Sequence, residues 1–206
     1  FLAGLFMLFK YSFRPNIWLG LLLLTISYYL FFSVLYWSRF DEELYVQLMF
    51  SYLFPMSLFG PLFYMYIRSL VTERKVKYID LLHGLPLIIF VITFWGYYAL
   101  PLDQKFIAIK EARVEEYIIL ILPQIDWIFC FVMLFYTIIS YSVSKNKIQK
   151  DADLMIWLKA VHIVFAVFVL SFFIYFILYL TNVLTIEQDY FITLVMMVFL
   201  FLTIFF

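Results

Sequence analysis

Residues 60–86, GPLFYMYIRSLVTERKVKYIDLLHGLP, contain the end of one apolar segment, a short basic turn and the start of the next apolar segment. The first of these segments has no charged residue before the turn, and Pro61 lies late in it. Because proline has no N–H, Pro61 leaves the carbonyl of Ser57 without its helical partner, and Pro55 has the same effect further back. Carbonyls freed in lipid need partners in neighbouring helices or water. We therefore predict a helix that is kinked at Gly60 and Pro61 and packed inside a bundle.

The basic turn that follows indicates an orientation. It sets four cations against two acids: Arg68, Arg74, Lys75 and Lys77 against Glu73 and Asp80. Since Lys and Arg are enriched in cytoplasmic loops, the turn is predicted to face the cytoplasm. His83 and Pro86 then open the next helix. We interpret His83 as an interfacial residue that bonds to a lipid headgroup or to a loop carbonyl.

The overall composition is that of a membrane protein. Hydrophobic residues make up 67% of the chain and aromatic residues 24%, and the mean hydropathy of +1.03 is far above that of a soluble domain. The formal net charge of zero provides no global field for binding nucleic acid. A single cysteine, Cys130, excludes an internal disulfide and a cysteine-based zinc site.

Apolar segments recur along the whole chain, so we predict an all-α membrane protein with a bundle of about seven transmembrane helices. Five segments are long enough to cross a hydrocarbon core of about 30 Å: residues 17–37, 44–67, 81–102, 117–144 and 155–180. Residues 1–9 and the run that begins at Tyr190 are interpreted as a first and a last helix cut by the ends of the sequence. Residues 103–116 form either a short interfacial helix or a plain loop. All 206 residues are assigned to one domain.

The positions of the cations predict how this bundle is oriented. If the segments cross in turn, ten of the fourteen Lys and Arg residues lie on the side of the basic turn, and four lie on the other side. The Lys and Arg count sets orientation in membranes. The N-terminus is therefore predicted to lie outside and the C-terminus in the cytoplasm.

Residues 60–86 also carry a resemblance to a known family. Its pattern is Gly60-Pro61-Leu62-Phe63-Tyr64-Met65-Tyr66, then Arg68-Ser69-Leu70, a basic turn, and Asp80-Leu81-Leu82-His83 with Pro86. This pattern resembles the N-terminal seven-helix membrane region of bacterial AraC-type transcriptional regulators. Gly84 departs from the aromatic or large apolar residue that is usual at that position. The motif covers about 27 of the 206 residues of the chain.

The resemblance implies a sensory region in the bacterial cytoplasmic membrane, with a helix-turn-helix output domain beyond residue 206. Its expected partners are the lipid bilayer, a small or lipid-like ligand, a second copy in a homodimer, and DNA only through that output domain. Two alternatives stay open: the sensor bundle of a membrane histidine kinase, and a transporter or structural subunit without an output domain. The residues that follow Phe206 in the parent gene would separate these three classes.

Asp126 is the polar residue that most needs an explanation, because an ionised carboxylate at bilayer depth is costly. It is the only acid within residues 117–144. We consider three roles: a hydrogen-bonded tie between helices, a ligand or proton site, and an interfacial position. His162 lies at a similar predicted depth and is the hypothesised partner of Asp126, while Gln124 is expected to make an interhelical hydrogen bond. No catalytic residue or cofactor is expected, because no nucleophile and base pair and no phosphate-binding glycine loop can be placed in the sequence. No metal is expected, because two histidines and one cysteine cannot supply a closed metal site of the usual kind.

Overall fold

Helices dominate the structure because a segment surrounded by lipid must satisfy its own backbone hydrogen bonds. The computed structural model describes residues 1–9, 14–38, 41–72, 77–119, 125–145, 152–184 and 190–205, and within these ranges it contains helices and no strand. The α-helices in chain order are α1 (Leu2–Phe9), α2 (Arg14–Ser38), α3 (Glu42–Leu48), α4 (Leu53–Val71), α5 (Leu85–Tyr98), α6 (Leu102–Lys110), α7 (Ile125–Lys145), α8 (Ala152–Leu180) and α9 (Tyr190–Phe205). Two 3-10 helices, Tyr78–Gly84 and Val114–Tyr117, precede α5 and follow α6.

Four of the described segments are long and apolar enough to cross a membrane: Pro15–Ser38, Tyr78–Tyr98, Ile125–Lys145 and Met155–Leu180. The bent pair of α3 and α4 makes a fifth if it is counted as one span. The all-α character predicted from the sequence is thereby confirmed for the described residues, and these long apolar helices agree with a multi-pass membrane protein. The helices α1 and α9, of 8 and 16 residues, correspond to the first and last predicted segments, and the total of seven spans stays a prediction.

The outer surface of the bundle is apolar, as lipid contact requires. Large side chains point outward along α5, α7, α8 and α9, with Trp95 63% exposed, Phe131 58%, Leu170 55% and Leu194 63%. Soluble proteins rarely expose contiguous apolar surface on this scale. Helices that are hydrophobic on both their inner and outer faces are typical of membrane spans.

Inside the bundle, α4 packs against α2, α5 and α7, and an aromatic core runs beside it. Phe63 of α4 stacks on Phe165 of α8 with ring centroids 3.8 Å apart. One turn earlier, Phe59 meets Phe168 edge-on at 5.3 Å, and Phe199 of α9 closes the group. These rings are buried, and phenylalanine is the most frequent residue among the buried core residues that the structure describes.

The sharp bend in the third predicted span lies at residues 49–52, where the axes of α3 and α4 differ by 52°. It comes about three helical turns before Pro61, and α4 continues through Pro61 as one helix. Phe50 adopts a left-handed conformation at φ 68°, which ends α3. Pro55 falls in the first turn of α4, where a missing N–H costs little. A kink at Pro61 itself stays a prediction.

Two tyrosines of α5 stabilise this bend, which we call the break: residues 49–52, between α3 and α4. The hydroxyl of Tyr97 donates to the carbonyl of Val46 at 2.6 Å, and that of Tyr98 donates to the carbonyl of Met49 at 2.9 Å. The last carbonyls of a helix have no partner within it, so these bonds satisfy groups that the break exposes. The ring of Phe50 stacks on Phe94 at 5.1 Å. The bend is therefore supported from α5.

Residues 103–116 contain most of the short helix α6 and the Val114–Tyr117 turn of 3-10 helix, so the helical alternative is confirmed for residues 103–110, and its interfacial position stays a prediction. The amine of Lys105 in α6 lies 5.2 Å from the ring centre of Tyr97 and 5.7 Å from that of Tyr98. Burial lowers the pKa of Lys105. Beyond α6, Arg113 forms exposed ion pairs with Glu111 and Glu116, and the Arg113 guanidinium lowers the pKa of Glu116.

Candidate functional site

The residues of the sequence motif meet at the end of α4 that carries the basic turn. Arg68 donates from Nη1 to Asp80 Oδ1 at 2.6 Å and from Nη2 to Asp80 Oδ2 at 2.8 Å. Asp80 Oδ2 also accepts from the backbone N–H of Lys77 at 2.7 Å. Both charged side chains are buried, 9% and 3% exposed. This two-pronged, charge-assisted pair joins the end of α4 to the helical turn before α5.

His83 extends this group towards α7. Its Nδ1 is hydrogen-bonded to the hydroxyl of Tyr136 at 2.8 Å, and its ring lies 4.9 Å from that of Tyr64. The guanidinium of Arg68 lies 5.5 Å from the centre of the same Tyr64 ring. The described partner of His83 is therefore a tyrosine of another helix, which the sequence did not indicate, and a contact with a lipid headgroup stays a prediction. We call Tyr64, Arg68, Asp80, His83 and Tyr136 the motif cluster.

The remaining motif residues bring other helices to this cluster. A Cβ added at Gly60 would lie 3.0 Å from Tyr136 Cδ2 and 3.1 Å from the Cα of Met133, so glycine lets α4 and α7 approach closely. Tyr66 accepts a hydrogen bond at 3.3 Å from Trp157 Nε1 of α8. Pro86 lies in the first turn of α5, where proline is well suited. The motif thus joins α4 to α5, α7 and α8.

At the opposite end of α4 the helices enclose a cavity of about 240 Å³. Its lining comes from α2, α3, the break, α4, α7, α8 and α9, and consists of Tyr29, Phe32, Ser33, Tyr36, Tyr45, Met49, Phe50, Tyr52, Met56, Asp126, Phe172, Tyr175, Phe176, Tyr179 and Ile192. Ten of these fifteen residues are tyrosine or phenylalanine. We call this space the aromatic cavity.

The aromatic cavity has a floor and a mouth. Tyr29, Met56 and Phe172 are buried and form the floor. Tyr36 and Tyr179 lie within two residues of the ends of α2 and α8, and Tyr179 is 41% exposed. A ligand could therefore enter from the end of the bundle that the Lys and Arg count places outside.

Asp126 lies in the wall of this cavity. The hydroxyl of Tyr52, at the break before α4, donates to Asp126 Oδ1 at 3.4 Å. Asp126 is the second residue of α7, not nine residues into a span, because the preceding Val114–Tyr117 turn is not part of that helix. Instead the backbone N–H of Ile119 bonds to the carbonyl of Thr93 at 3.0 Å on α5. The position agrees with a helix tie and equally with a ligand site.

His162 is not the partner of Asp126. Its Nδ1 is hydrogen-bonded to the carbonyl of Leu158 at 2.7 Å, and its ring lies 5.4 Å from that of Phe63 and 6.0 Å from that of Tyr141. Tyr141 lies fifteen residues along α7 from Asp126, or about 22 Å at 1.5 Å per residue. The estimate of equal depth failed because it began α7 at residue 117. Gln124 lies outside the described residues.

Sequence reasoning missed most of this cavity. Asp126 is conspicuous because it is an acid in an apolar run, but its partner Tyr52 is one of 17 tyrosines in the chain. The break that places Tyr52 contains no glycine or proline to reveal it. The pairing of Arg68 with Asp80 was indicated by the sequence, since these two opposite charges flank one short turn.

Neither site has the composition of a metal centre, and among the described residues no group of three or more His, Cys, Asp or Glu side chains could hold an ion. What the geometry offers is an aromatic cavity with one carboxylate at one end of α4 and a buried ion pair at the other. Comparisons of the chain with protein-family models, with curated proteins and with solved structures find no match.

Proposed function

We propose that this chain is the membrane-embedded sensory region of a bacterial AraC-type transcriptional regulator, located in the cytoplasmic membrane with its C-terminus inside the cell. It catalyses no reaction in this proposal and reaches DNA only through an output domain outside residues 1–206. The motif of residues 60–86 supports the family assignment. A homodimer is the natural form, since such regulators act on paired DNA half-sites.

The observation that carries the proposal is that one helix joins two unlike polar sites. Tyr52 and Met56, at the beginning of α4, line the aromatic cavity, and Arg68, near its end, holds Asp80. Tyr52 and Arg68 are sixteen residues apart, or about 24 Å along a helix axis. A ligand that favours one position of α4 would shift the population of states at the motif cluster. That cluster lies on the predicted cytoplasmic side.

A transcription reporter driven by the whole regulator, with its output domain attached, tests this function. Arg68→Lys keeps the charge but loses the two-pronged bond to Asp80, so we expect altered basal output at an unchanged level of protein in the membrane. Arg113→Lys, at an exposed ion pair outside both sites, is the matched control. Equal output from wild type and both variants would contradict the proposal. A kinase region encoded after Phe206 would instead support the histidine-kinase alternative.

A further inference from the structure

We infer that the aromatic cavity binds a small organic cation, a quaternary ammonium or an amine with an apolar body, held between Asp126 and the faces of the lining tyrosines. This inference rests on the proposed function, in which the cavity receives the signal, and it adds the chemical class of the ligand. The cation could be a free molecule or the headgroup of a lipid, because both present the same ammonium group.

The lining is the first argument. The faces of aromatic rings carry negative charge density, and a cation positioned over them is attracted, most strongly where water is excluded. Ten rings surround this space, six of them from tyrosine. Tyr29 and Phe172 at the floor meet edge to face at 5.9 Å, and Phe32 packs between Tyr45 and Tyr52. The rings thus support one another as a fixed wall.

The charge is the second argument. Asp126 is the one acid in the lining, and none of the described lining residues is Lys, Arg or His. Its hydrogen bond from Tyr52, at 3.4 Å, is longer than the usual limit of about 3.0 Å for hydroxyl donors and is therefore weak. A carboxylate in apolar surroundings is costly unless an opposite charge compensates it. A bound cation would supply that charge.

The size and position of the cavity limit the ligand further. About 240 Å³ is below the usual range of drug-sized pockets, which begins at about 300 Å³. A compact ammonium compound fits such a space better than a whole lipid chain. The partly exposed Tyr179 places the mouth at the end of the bundle, within reach of solvent and of lipid headgroups.

The inference is tested by titrating the purified chain in neutral maltoside micelles with tetramethylammonium, with choline, and with 3,3-dimethylbutan-1-ol, the uncharged isostere of choline. Calorimetry measures the affinity. We expect at least one cation to bind about tenfold or more tightly than the neutral isostere, as one close ion pair and several rings allow. Equal binding of charged and neutral probes, or no binding by folded protein, would overturn the inference.

Variants show whether the binding occurs in this cavity. Asp126→Asn keeps an acceptor for Tyr52 and removes the charge, so the affinity for the cations should fall about tenfold or more while that for the neutral isostere stays the same. Tyr179→Leu, at the mouth, should weaken cation binding several-fold. Asp103→Asn, on α6 and outside the cavity, is the matched control. Undiminished cation affinity in a folded Asp126→Asn protein would contradict the assignment.

Two further measurements are needed. The first distinguishes a lipid headgroup from a free ligand as the source of the cation, and the second distinguishes cation binding from signalling. Choline that binds more weakly in phosphatidylcholine nanodiscs than in nanodiscs of digalactosyldiacylglycerol, an uncharged lipid without an ammonium group, would identify the lipid headgroup as a natural competitor, and equal affinity would favour a free ligand. Two uncharged bilayers are compared because an anionic lipid surface would itself concentrate choline. Both results keep the cationic class. The reporter described above, with choline added, tests signalling separately: cation binding without any change in output would support this inference and count against the sensory function.

Discussion

At the scale of single residues, the pair of Arg68 and Asp80 shows how this chain tolerates buried charge. Each charge alone would be expensive away from water, but the pair shares two short hydrogen bonds, and Asp80 accepts a third from Lys77. In the sequence, Asp80 is an acid that opposes the basic turn and the first residue of the Asp80-Leu81-Leu82-His83 part of the motif. Its role became visible when folding placed the turn against the end of α4.

Removing one member of this pair should leave the other charge buried without compensation. We expect Asp80→Asn and Arg68→Ala each to lower the free energy of unfolding by about 3 kcal/mol. Arg113→Ala, which removes a solvent-exposed ion pair, is the matched control and should leave stability unchanged within error. Denaturant titration in detergent micelles measures all three. An Asp80→Asn protein as stable as the control would show that the buried pair is energetically unimportant.

Gly60 allows a second test at this scale, because its hydrogen faces α7 at close range. Gly60→Ala must displace Tyr136 or the backbone at Met133 by a few tenths of an ångström, so we expect a net loss of about 1 kcal/mol despite the better helix propensity of alanine. At Gly84 an added Cβ would meet nothing within 4 Å. Gly84→Ala is therefore the control and should not destabilise the protein. Equal melting temperatures for both variants would mean that α4 and α7 are not closely packed at Gly60.

At the scale of elements, long apolar runs were sufficient to predict α2, α5, α7 and α8. In lipid, a single segment can satisfy all of its backbone hydrogen-bonding groups only by forming a helix. The break between α3 and α4 was not predictable in this way. It depends on Phe50 in a left-handed conformation and on hydroxyls from α5, which is more than thirty residues away in sequence. The prolines predict a kink at Pro61, which stays a prediction, whereas the bend at residues 49–52 is a separate feature that tertiary contacts support.

The hydroxyl groups that support the break should contribute measurably to stability. Tyr97→Phe removes the donor to the Val46 carbonyl and keeps the ring, so we expect a loss of about 1 kcal/mol, and Tyr98→Phe should cost a similar amount. Tyr78, 92% exposed, provides the control Tyr78→Phe, which should have no effect. Thermal unfolding followed by circular dichroism measures the change. If Tyr97→Phe and Tyr98→Phe together behave as the control does, the break is stabilised by packing alone.

At the scale of the whole molecule, the two ends of the bundle have different chemistry, and the sequence predicted only part of that difference. The excess of Lys and Arg on one side was readable from a count, and Asp126 was readable as an acid in an apolar run. The ring of tyrosines around Asp126 was not readable, because its members come from α2, α3, α8 and the break, and aromatic residues are abundant everywhere in this chain.

The most direct test of this two-ended arrangement is to determine which end faces the outside of the cell. Single cysteines are introduced at Tyr78, beside the motif cluster, and at Gln104, on α6, in a Cys130→Ala background, and intact cells are treated with a membrane-impermeant thiol reagent. Both positions are exposed on the protein, so accessibility reports the side of the membrane. With the aromatic cavity outside and the motif cluster in the cytoplasm, position 104 is labelled and position 78 is labelled only after the cells are opened. Labelling of position 78 but not of position 104 in intact cells would contradict the proposed orientation of the bundle.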